Sequence, residues 1–351
     1  MKAYVLREIG KINLEEVDVP ELKDNEVLVK VGAAGICGSD IPRIYKTGAY
    51  SFPLIPGHEF AGTVMEVGKK VTPSWQGKRV GIFPLIPCNK CEPCRKQQYE
   101  MCRHYSYLGS RRDGGFAEYV AVPEKNLIEL PENVSFQAAA MLEPMAVACH
   151  AMRRLSLDPS ATVAVCGLGT IGLLLVMFLW EAGIRKIYVI GNKEFQKNKV
   201  LSLGISEENY CDAKSQDVEK WLLERTNGQG VEAFFECVGK NETVKQAIAL
   251  TAPGGKIQLV GNPYSEMVLD KELYWKILRN QLTITGTWNS SFTCNKEDDW
   301  HYVLERLEKE TIAPEDFISH KLPFAELEKG FHIMRDKNED YVKIIAEGIQ
   351  G

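Results

Sequence analysis

The stretch TVAVCGLGTIG, Thr162–Gly172, decides the fold of this chain. Five apolar or β-branched residues predict a buried strand, and glycines at 167, 169 and 172 then form the pattern G-x-G-x-x-G. The alternative is a purely structural turn. Between a strand and a helix, however, the pattern is typical of dinucleotide binding, because the helix N-terminus offers N–H groups to a pyrophosphate. The predicted cofactor-binding residues of this turn are Gly167, Gly169, Thr170, Ile171 and Gly172.

Around this turn, residues 151–282 alternate between predicted strands and helices. The helix IGLLLVMFLWEAG ends at Gly183, and the segments KIYVIG, KNKVLSLG, VEAFFECVG, TVKQAIALTAPGG and KIQLVG continue the alternation. This succession predicts a parallel, doubly wound sheet with helices on both faces. The run LLLVMFLW is far shorter than the roughly 20 residues that cross a membrane, so we interpret it as a buried helix.

The first 150 residues have a different pattern. Short alternating runs such as EVLVKV and FAEYVAV, interrupted by Gly and Pro, predict an irregular β-rich domain. After residue 282 come TITGTWN, a polar helix near Asp298 to Glu310, and a terminal strand YVKIIAE. A chain of 351 residues with 45% apolar content is long enough for two cores. The expected fold class is α/β with a separate β-rich domain.

The end of KIYVIG bears on which dinucleotide binds. An acidic residue at this position hydrogen-bonds the ribose of NAD, but here Gly191 is followed by Asn192 and Lys193. No carboxylate would repel a 2′-phosphate and a cation is close, so the sequence favours tolerance of NADP; the expected cofactor is NAD or NADP. The alternative is that Glu194 takes the acidic role.

Net charge and the N-terminal segment limit the partners. A charge of −5 without a long basic run gives no electrostatic basis for binding nucleic acid or a membrane surface. The segment MKAYVLREIGKINLEE lacks the apolar core of a secretory signal, so we expect a cytoplasmic protein with a small-molecule substrate. Ten cysteines in that compartment should be mostly reduced.

Four of those cysteines lie in the segment CNKCEPCRKQQYEMC. Cys88, Cys91 and Cys94 are three residues apart and Cys102 follows eight later, a spacing that predicts a closed tetrahedral zinc site. Four unrelated buried thiols are the alternative. Because a closed all-cysteine site leaves no position for a substrate, we expect this lobe, residues 85–105, to be structural.

Candidate ligands for a reactive metal lie elsewhere in the first half of the chain. They are Cys37 in GICGSD, His58 and Glu59 in PGHEFAG, and Glu143 in MLEPMA. Thiolate, imidazole and carboxylate donors suit zinc, and three protein ligands leave a fourth position for substrate. Each residue also has an ordinary alternative, such as core packing for a lone cysteine or a helix end for a glutamate before proline.

In combination, these motifs resemble the medium-chain zinc-dependent alcohol and polyol dehydrogenases. The zinc signature of that family is kept, with every spacing, in Gly57, His58, Glu59, Gly62, Gly68 and Val71. The resemblance implies a GroES-like catalytic domain of residues 1–150 and 283–351, a Rossmann domain of residues 151–282, and an active site in the cleft. It also implies a homodimer, with a tetramer as the alternative.

The resemblance implies two zinc ions per chain. The catalytic ion would be held by Cys37, His58 and either Glu59 or Glu143, and a glutamate at 143 matches the polyol branch, since alcohol dehydrogenases have a second cysteine there. The four clustered cysteines would hold the structural ion. Zinc would lower the pKa of a secondary alcohol, whose hydride would pass to the nicotinamide.

Ser39 and Asp40 follow the candidate ligand Cys37 closely. On the implied mechanism, Ser39 would accept or relay the alcohol proton, and Asp40 would orient His58. Helix capping is the alternative role for this pair.

The resemblance implies a polyol phosphate as the substrate, oxidised to a ketose phosphate. The cations expected to bind its phosphate are Arg43, Lys46, Arg111 and Arg112. A solvated loop is the alternative for these cations, and an unphosphorylated polyol such as sorbitol is the alternative substrate. A non-catalytic nucleotide-binding or redox-sensing protein would keep the fold without needing the open ligand set, which argues against that class.

Overall fold

The computed structural model describes residues 1–349, which form two compact units. The first comprises Met1–Ala146 together with the chain from Ser290 onward, and the second is Val147–Asn289. The sequence predicts residues 151–282 for the second domain. In the structure, Thr283–Gly286 also forms a strand of the second unit's sheet.

The strands are numbered here in chain order. They are β1 Lys2–Glu8, β2 Lys11–Glu16, β3 Glu26–Ile36, β4 Glu59–Val67, β5 Arg79–Ile82, β6 Leu85–Ile86, β7 Ser106–Tyr107, β8 Tyr119–Pro123, β9 Leu127–Glu129, β10 Thr162–Cys166, β11 Lys186–Gly191, β12 Tyr210–Asp212, β13 Val231–Glu236, β14 Thr251–Leu259, β15 Thr283–Gly286, β16 Ile318–Pro323 and β17 Lys343–Glu347.

The α-helices follow the same order. They are α1 Asp40–Pro42, α2 Glu92–Arg95, α3 Phe136–Ala140, α4 Leu142–Arg153, α5 Thr170–Glu181, α6 Glu194–Ser202, α7 Val218–Arg225, α8 Asn241–Leu250, α9 Lys271–Arg279, α10 Asp299–Glu308 and α11 Leu327–Asp336. A π-helical turn, Arg43–Thr47, continues α1. Among the described residues, no helix combines the length and apolar character needed to cross a membrane.

The second unit is a six-stranded sheet in the order β12-β11-β10-β13-β14-β15, and all of its pairings are parallel. The prediction of a parallel Rossmann sheet is therefore confirmed. If the six strands are numbered along the chain, their order in the sheet is 3-2-1-4-5-6, which is the order of the doubly wound dinucleotide-binding fold. Helix α5 buries every residue from Gly172 to Leu179, in agreement with its interpretation as a buried helix. An apolar surface all round a helix is stable only when neighbouring elements cover it.

The first unit is built on a mostly antiparallel sheet in the order β16-β17-β3-β4-β5-β9, with β8 also paired to β3. Strand β3 is buried along nearly its whole length, and the core beneath it includes Phe60, Phe116 and Phe331. The C-terminal strand β17 pairs antiparallel with β3. The last strand of the chain thus belongs to the sheet of the N-terminal unit.

The register of this sheet brings three strand ends together. Gly35 of β3 lies opposite Glu59 at the start of β4, and Ile36 lies opposite Ile344 near the start of β17. Cys37 directly follows β3. One end of the sheet therefore gathers side chains from residues 37, 59 and 343, which are far apart in sequence.

Candidate metal centres and dinucleotide turn

The four-cysteine segment folds into a compact lobe between β6 and β7. The Sγ atoms of Cys91 and Cys94 are 3.4 Å apart, and Cys88–Cys94 and Cys91–Cys102 are each 3.9 Å apart. All four ligand atoms lie within 4.8 Å of one another. These separations are much longer than a disulfide bond, about 2.05 Å. They match the roughly 3.8 Å expected between thiolates at about 2.3 Å from a tetrahedral zinc ion.

Backbone N–H groups of the lobe favour thiolate at one of these positions. Hydrogen bonds from the N–H groups of Arg103 and Cys94 lower the pKa of Cys91 to about 6. Burial has the opposite effect on its neighbour and raises the pKa of Cys94 to about 12. A divalent cation at the centre of the four sulfur atoms would offset that burial cost, so the donor set fits zinc.

A second set of ligand atoms lies at the end of the β3–β4–β17 sheet. One ligand atom each from Cys37, His58 and Glu59 lies within 4.8 Å of the other two. His58 and Glu59 are buried, with 5% and 2% of their surfaces exposed, while Cys37 is half-buried. A thiolate, an imidazole and a carboxylate in this arrangement fit zinc and leave room in its coordination shell.

Asp40 is fully buried and holds the residues around this second set. Its Oδ1 lies 3.5 Å from Nδ1 of His58 and accepts a 2.7 Å hydrogen bond from Arg43, while its Oδ2 accepts one of 3.0 Å from the backbone N–H of Cys37. Because Asp40 faces Nδ1, the other ring nitrogen of His58 is the one available to a metal. Asp40 therefore lies where it would orient the imidazole.

Charge interactions among these groups are strong. Burial opposes the imidazolium, but Asp40 and Cys37 outweigh it and raise the pKa of His58 well above its usual value. For Cys37, burial raises the pKa of the thiol, and the attraction of His58 more than reverses that effect. The site favours a cation next to a thiolate, and zinc would supply that positive charge.

Ser39 lies next to the candidate ligand, with its Oγ donating to Sγ of Cys37 over 3.4 Å. It occupies the N-cap position of α1, but its side chain makes no capping hydrogen bond. The capping alternative is thus not realised by the Ser39 hydroxyl, which is directed toward the sulfur instead.

Glu143 at the start of α4 is buried, with 8% of its surface exposed. It is outside the group of mutually close ligand atoms formed by Cys37, His58 and Glu59. Its Oε1 accepts a 3.0 Å hydrogen bond from the hydroxyl of Tyr107. Burial raises the pKa of Glu143, and the charge of His58 and the hydrogen bond from Tyr107 oppose that rise.

Lys343 is a site residue that the sequence analysis missed. It is 2% exposed, and its Nζ pairs with Oε2 of Glu59 and donates to the backbone oxygen of Ile36 at 3.0 Å. Burial lowers the pKa of Lys343 to about 8, against the attraction of Cys37 and Asp40. In sequence, it is one lysine in a C-terminal strand of otherwise ordinary pattern, and only the β17–β3 pairing brings it to the site.

In the second unit, the predicted turn joins β10 to α5. Gly167 has a φ of +96°, which favours glycine, and α5 begins at Thr170. A Cβ on Gly172 would lie 1.9 Å from the backbone oxygen of Gly167. No side chain fits there, so the helix packs closely against the strand, and its N-terminus is left for an anion.

The end of β11 shows why residue 191 is a glycine. A Cβ there would meet Cδ1 of Leu168 at 2.8 Å and the ring of Tyr210 at 3.1 Å. Asn192, the next residue, is exposed, and Lys193 precedes α6. Glu194 begins that helix, three residues after the strand ends.

A cavity of about 500 Å³ at the carboxyl ends of β13, β14 and β15 was not predicted from the sequence. Its lining includes Glu236, Asn262 and Thr287 among mostly apolar side chains. The carboxyl ends of parallel strands are where ligands bind in open α/β sheets. The signal available in the sequence was the run of polar and small residues after KIQLV, which is not specific by itself.

The structure corrects the prediction of a four-cation phosphate cluster. Arg43 is paired with Asp40, and Arg112 with the buried Glu26 at 2.7 Å, so two of the four cations are already neutralised. The guanidinium of Arg111 lies 4.3 Å from the ring centres of both Tyr50 and Tyr105 and donates to the Tyr50 hydroxyl at 3.3 Å.

Neither remaining cation has a carboxylate partner in the described chain: Arg111 contacts aromatic and backbone groups, and Lys46 is exposed on the π-helical turn. Arg43 and Arg112 thus each have a carboxylate partner, which Arg111 and Lys46 lack. Arginine stacked on aromatic faces retains in-plane donors, since its guanidinium carries five N–H groups.

A dinucleotide turn on a Rossmann sheet, with two sets of zinc-type ligands in a separate β-rich unit, defines the class of zinc-binding oxidoreductases. Comparison with known proteins agrees. Residues 23–132 match the alcohol dehydrogenase GroES-like domain, and residues 170–309 match the zinc-binding dehydrogenase domain. The chain belongs to the zinc-dependent medium-chain alcohol and polyol dehydrogenase family.

Individual relatives differ in substrate. The chain is 32% identical to galactitol 1-phosphate 5-dehydrogenase of Escherichia coli K12, over 92% of this chain and 93% of that one. It is 32% identical to sorbitol dehydrogenase of Bacillus subtilis, over 84% of each chain. The crystal structure of galactitol-1-phosphate dehydrogenase from Escherichia coli superimposes with a TM-score of 0.92 at 30% identity, covering 99% of this chain and 100% of that one.

Proposed function

We propose that the protein is a zinc-dependent, NAD(P)-linked dehydrogenase that oxidises a secondary alcohol of a polyol phosphate to a ketose phosphate, most specifically galactitol 1-phosphate to tagatose 6-phosphate. The observation that carries the reaction class is the buried set Cys37, His58 and Glu59, which offers three donors to one ion. Relatives near 30% identity act on several substrates, so substrate identity rests on the cations described below.

Two zinc ions per chain are proposed. The catalytic ion is assigned to Cys37, His58 and either Glu59 or Glu143, and the structural ion to the four-cysteine lobe. The lobe has short strands and few buried side chains of its own, so an ion there would contribute directly to its folding. The cysteines of the described residues form no disulfide bonds, which supports the proposal of a cytoplasmic location.

When bound, zinc would polarise the substrate alcohol and the nicotinamide would accept its hydride. The remaining steps belong to residues of the chain. Ser39, beside Cys37, would relay the alcohol proton, because its hydroxyl oxygen can accept that proton while its own proton passes to water. Asp40, whose Oδ1 lies 3.5 Å from Nδ1 of His58, would orient that ring, and Glu143 would add negative charge near it.

The dinucleotide is assigned to the glycine-rich turn of the second unit. The N-terminus of α5 would bind the pyrophosphate, and residues 191–193 would face the adenosine ribose. The cavity at the ends of β13–β15 has apolar walls suited to the nicotinamide ring. The absence of a carboxylate at Gly191 and Asn192 supports tolerance of NADP.

A homodimer is proposed from the second unit's surface. Strand β15 ends its sheet, and nine of the sixteen exposed large apolar side chains in the described chain lie between residues 264 and 288, including Trp275, Ile284 and Trp288. An edge strand flanked by apolar side chains is suited to pairing with a second copy about a two-fold axis. A tetramer remains the alternative assembly.

For the substrate, Arg111 supports a phosphate. Tyr105, against which it stacks, contacts Tyr107 at 6.1 Å between ring centres, and Tyr107 in turn contacts His58 at 5.7 Å. An unbroken series of contacts therefore leads from the metal ligands to an unneutralised guanidinium. A phosphate on the substrate would find its charge-assisted donors there.

The test compares galactitol 1-phosphate with galactitol and sorbitol, using both cofactors. In Arg111→Met, kcat/KM for the phosphate ester should fall at least about ten-fold, because a charge-assisted hydrogen bond contributes about 1.5–3 kcal/mol. Activity on sorbitol should stay unchanged. Arg95→Met, at an exposed arginine of the cysteine lobe, is the matched control and should alter neither.

Two results would contradict the substrate assignment. Equal losses on both kinds of substrate would make Arg111 a structural residue. A wild-type enzyme that prefers sorbitol would favour the runner-up, an unphosphorylated polyol dehydrogenase.

A further inference from the structure

The ion pair between Lys343 and Glu59 is buried within the candidate metal site. Each side chain is 2% exposed, and the ammonium also donates to the backbone oxygen of Ile36 at 3.0 Å. The pair joins residues 284 positions apart in the chain. Glu59 is at the same time one of the three mutually close metal donors.

Local packing leaves space for this pair and for little else. A Cβ on Gly35 would lie 2.6 Å from Oε2 of Glu59 and 2.7 Å from Cε of Lys343. Gly35 is opposite both Glu59 and Ile345 in the sheet register, so the glycine backbone forms the floor beneath the two side chains. The carboxylate is confined between the ammonium and the other two donors.

Two cations therefore compete for one carboxylate. The ammonium of Lys343 would repel a zinc ion held by Cys37 and His58, and it would also draw Glu59 away from that ion. Both effects weaken zinc binding, because like charges at short range in a buried site are poorly screened. A buried carboxylate without either cation would be strongly unfavourable.

We propose that Lys343 is a positioning residue that holds Glu59 away from full coordination of the catalytic zinc and so keeps a position on the metal open for substrate. The inference rests on the proposed assignment of zinc to Cys37 and His58. It gives the C-terminal strand a part in the metal chemistry: β17 supplies the cation that competes with zinc for Glu59.

Zinc release from the holoenzyme into a chromogenic chelator tests this directly. Lys343→Met removes the competing charge, so zinc should leave the catalytic site at least about ten-fold more slowly, because a like charge at short range in a buried site is poorly screened. If the substitution acted mainly by loss of packing, the site would loosen and zinc would leave faster. Slower release therefore indicates removal of the charge, and faster release indicates loss of packing. The four-cysteine ion serves as an internal control whose release should not change.

Two further variants control for packing and folding. Lys256→Met makes the same chemical change at a lysine of the second unit whose Nζ donates to the backbone oxygen of Leu155, and it should leave both release phases unchanged. Lys343→Gln retains hydrogen-bond donors without the charge and should also slow release. If Lys343→Met does not fold, zinc release from Lys343→Gln tests the proposed role of Lys343.

The double variant Glu59→Gln/Lys343→Met locates the effect. In the Glu59→Gln background, Lys343→Met should slow zinc release much less than it does in the wild type, because residue 59 no longer has a carboxylate to transfer to zinc. Slowing of the same size in both backgrounds, or release that is unchanged or faster in Lys343→Gln, would overturn the inference. A wild-type protein that releases only one class of zinc would instead refute the two-zinc assignment on which it rests.

Discussion

The hydroxyl of Tyr107 donates to Oε1 of Glu143 over 3.0 Å. Tyr107 lies in β7, immediately after the four-cysteine lobe, and β7 pairs with β6 immediately before it. The strands that flank the lobe therefore position a hydrogen-bond donor for a buried carboxylate beside His58. This hydrogen bond therefore connects the strands that flank the four-cysteine lobe to the candidate reaction centre.

Replacing Glu143 with Gln should change kinetics more than stability. The amide oxygen of the new side chain can still accept from Tyr107, but the negative charge beside His58 is lost, so the metal site becomes more positive and the pKa of the bound alcohol should fall. We expect turnover to drop about ten-fold or more, with the acid limb of the pH profile moved to lower pH. A pH profile and melting curve that overlay those of the wild type would remove Glu143 from the site.

Purified protein should contain two zinc ions per chain. A mild chelator should remove one of them with loss of activity and retention of fold, because one site is open and the other closed. Metal analysis together with circular dichroism measures both outcomes. A single tightly held ion, with activity unaffected by chelation, would contradict the assignment.

Single thiol substitutions should separate the two metal sites. Cys94→Ser should lower the melting temperature by several degrees, because the ion at that lobe contributes folding free energy. Cys37→Ser should abolish turnover and leave melting of the four-cysteine lobe largely intact. Differential scanning calorimetry on both proteins provides the comparison, and equal melting losses would show that the sites are not functionally distinct.

Cofactor preference should respond to residue 192. Asn192→Asp places a carboxylate one residue after β11, where it would accept ribose hydroxyls and repel a 2′-phosphate, so kcat/KM with NADP should fall at least about ten-fold relative to NAD. Residue 191 is a poor place for the same test, because any side chain there would collide with Leu168 and Tyr210. Wild-type protein that already rejects NADP would contradict the interpretation of this strand end.

Local sequence was enough for the features whose residues are neighbours in the chain. The glycine turn of Gly167 to Gly172 and the cysteine lobe have fixed spacings, since a tight turn or a metal clip requires them. The parallel sheet followed from alternating strand and helix patterns. The segment TITG has no local signal for which sheet it joins, and only its pairing with β14 shows that it belongs to the parallel sheet.

The candidate phosphate site shows the limit of that reasoning. Arg43, Lys46, Arg111 and Arg112 are equally cationic in sequence, and whether each has a carboxylate partner depends on the fold. Arg112 is paired with Glu26, and Glu26 is buried by strands from other parts of the chain. Charge pairing is a property of distance in space, which residue type alone does not specify.

The sequence by itself determined the two-domain α/β class, the dinucleotide turn, the four-cysteine lobe and the types of ligand residue in the candidate catalytic site. Each of these depends on which residues stand at short spacings in the chain. Only the tertiary structure decided three contacts. Glu59 forms an ion pair with Lys343, Glu143 accepts a hydrogen bond from Tyr107, and Arg111 stacks on Tyr50. These contacts join residues that are far apart in the sequence and that only the folded chain brings together. Burial then makes each pairing matter, because a charge removed from water must have a partner.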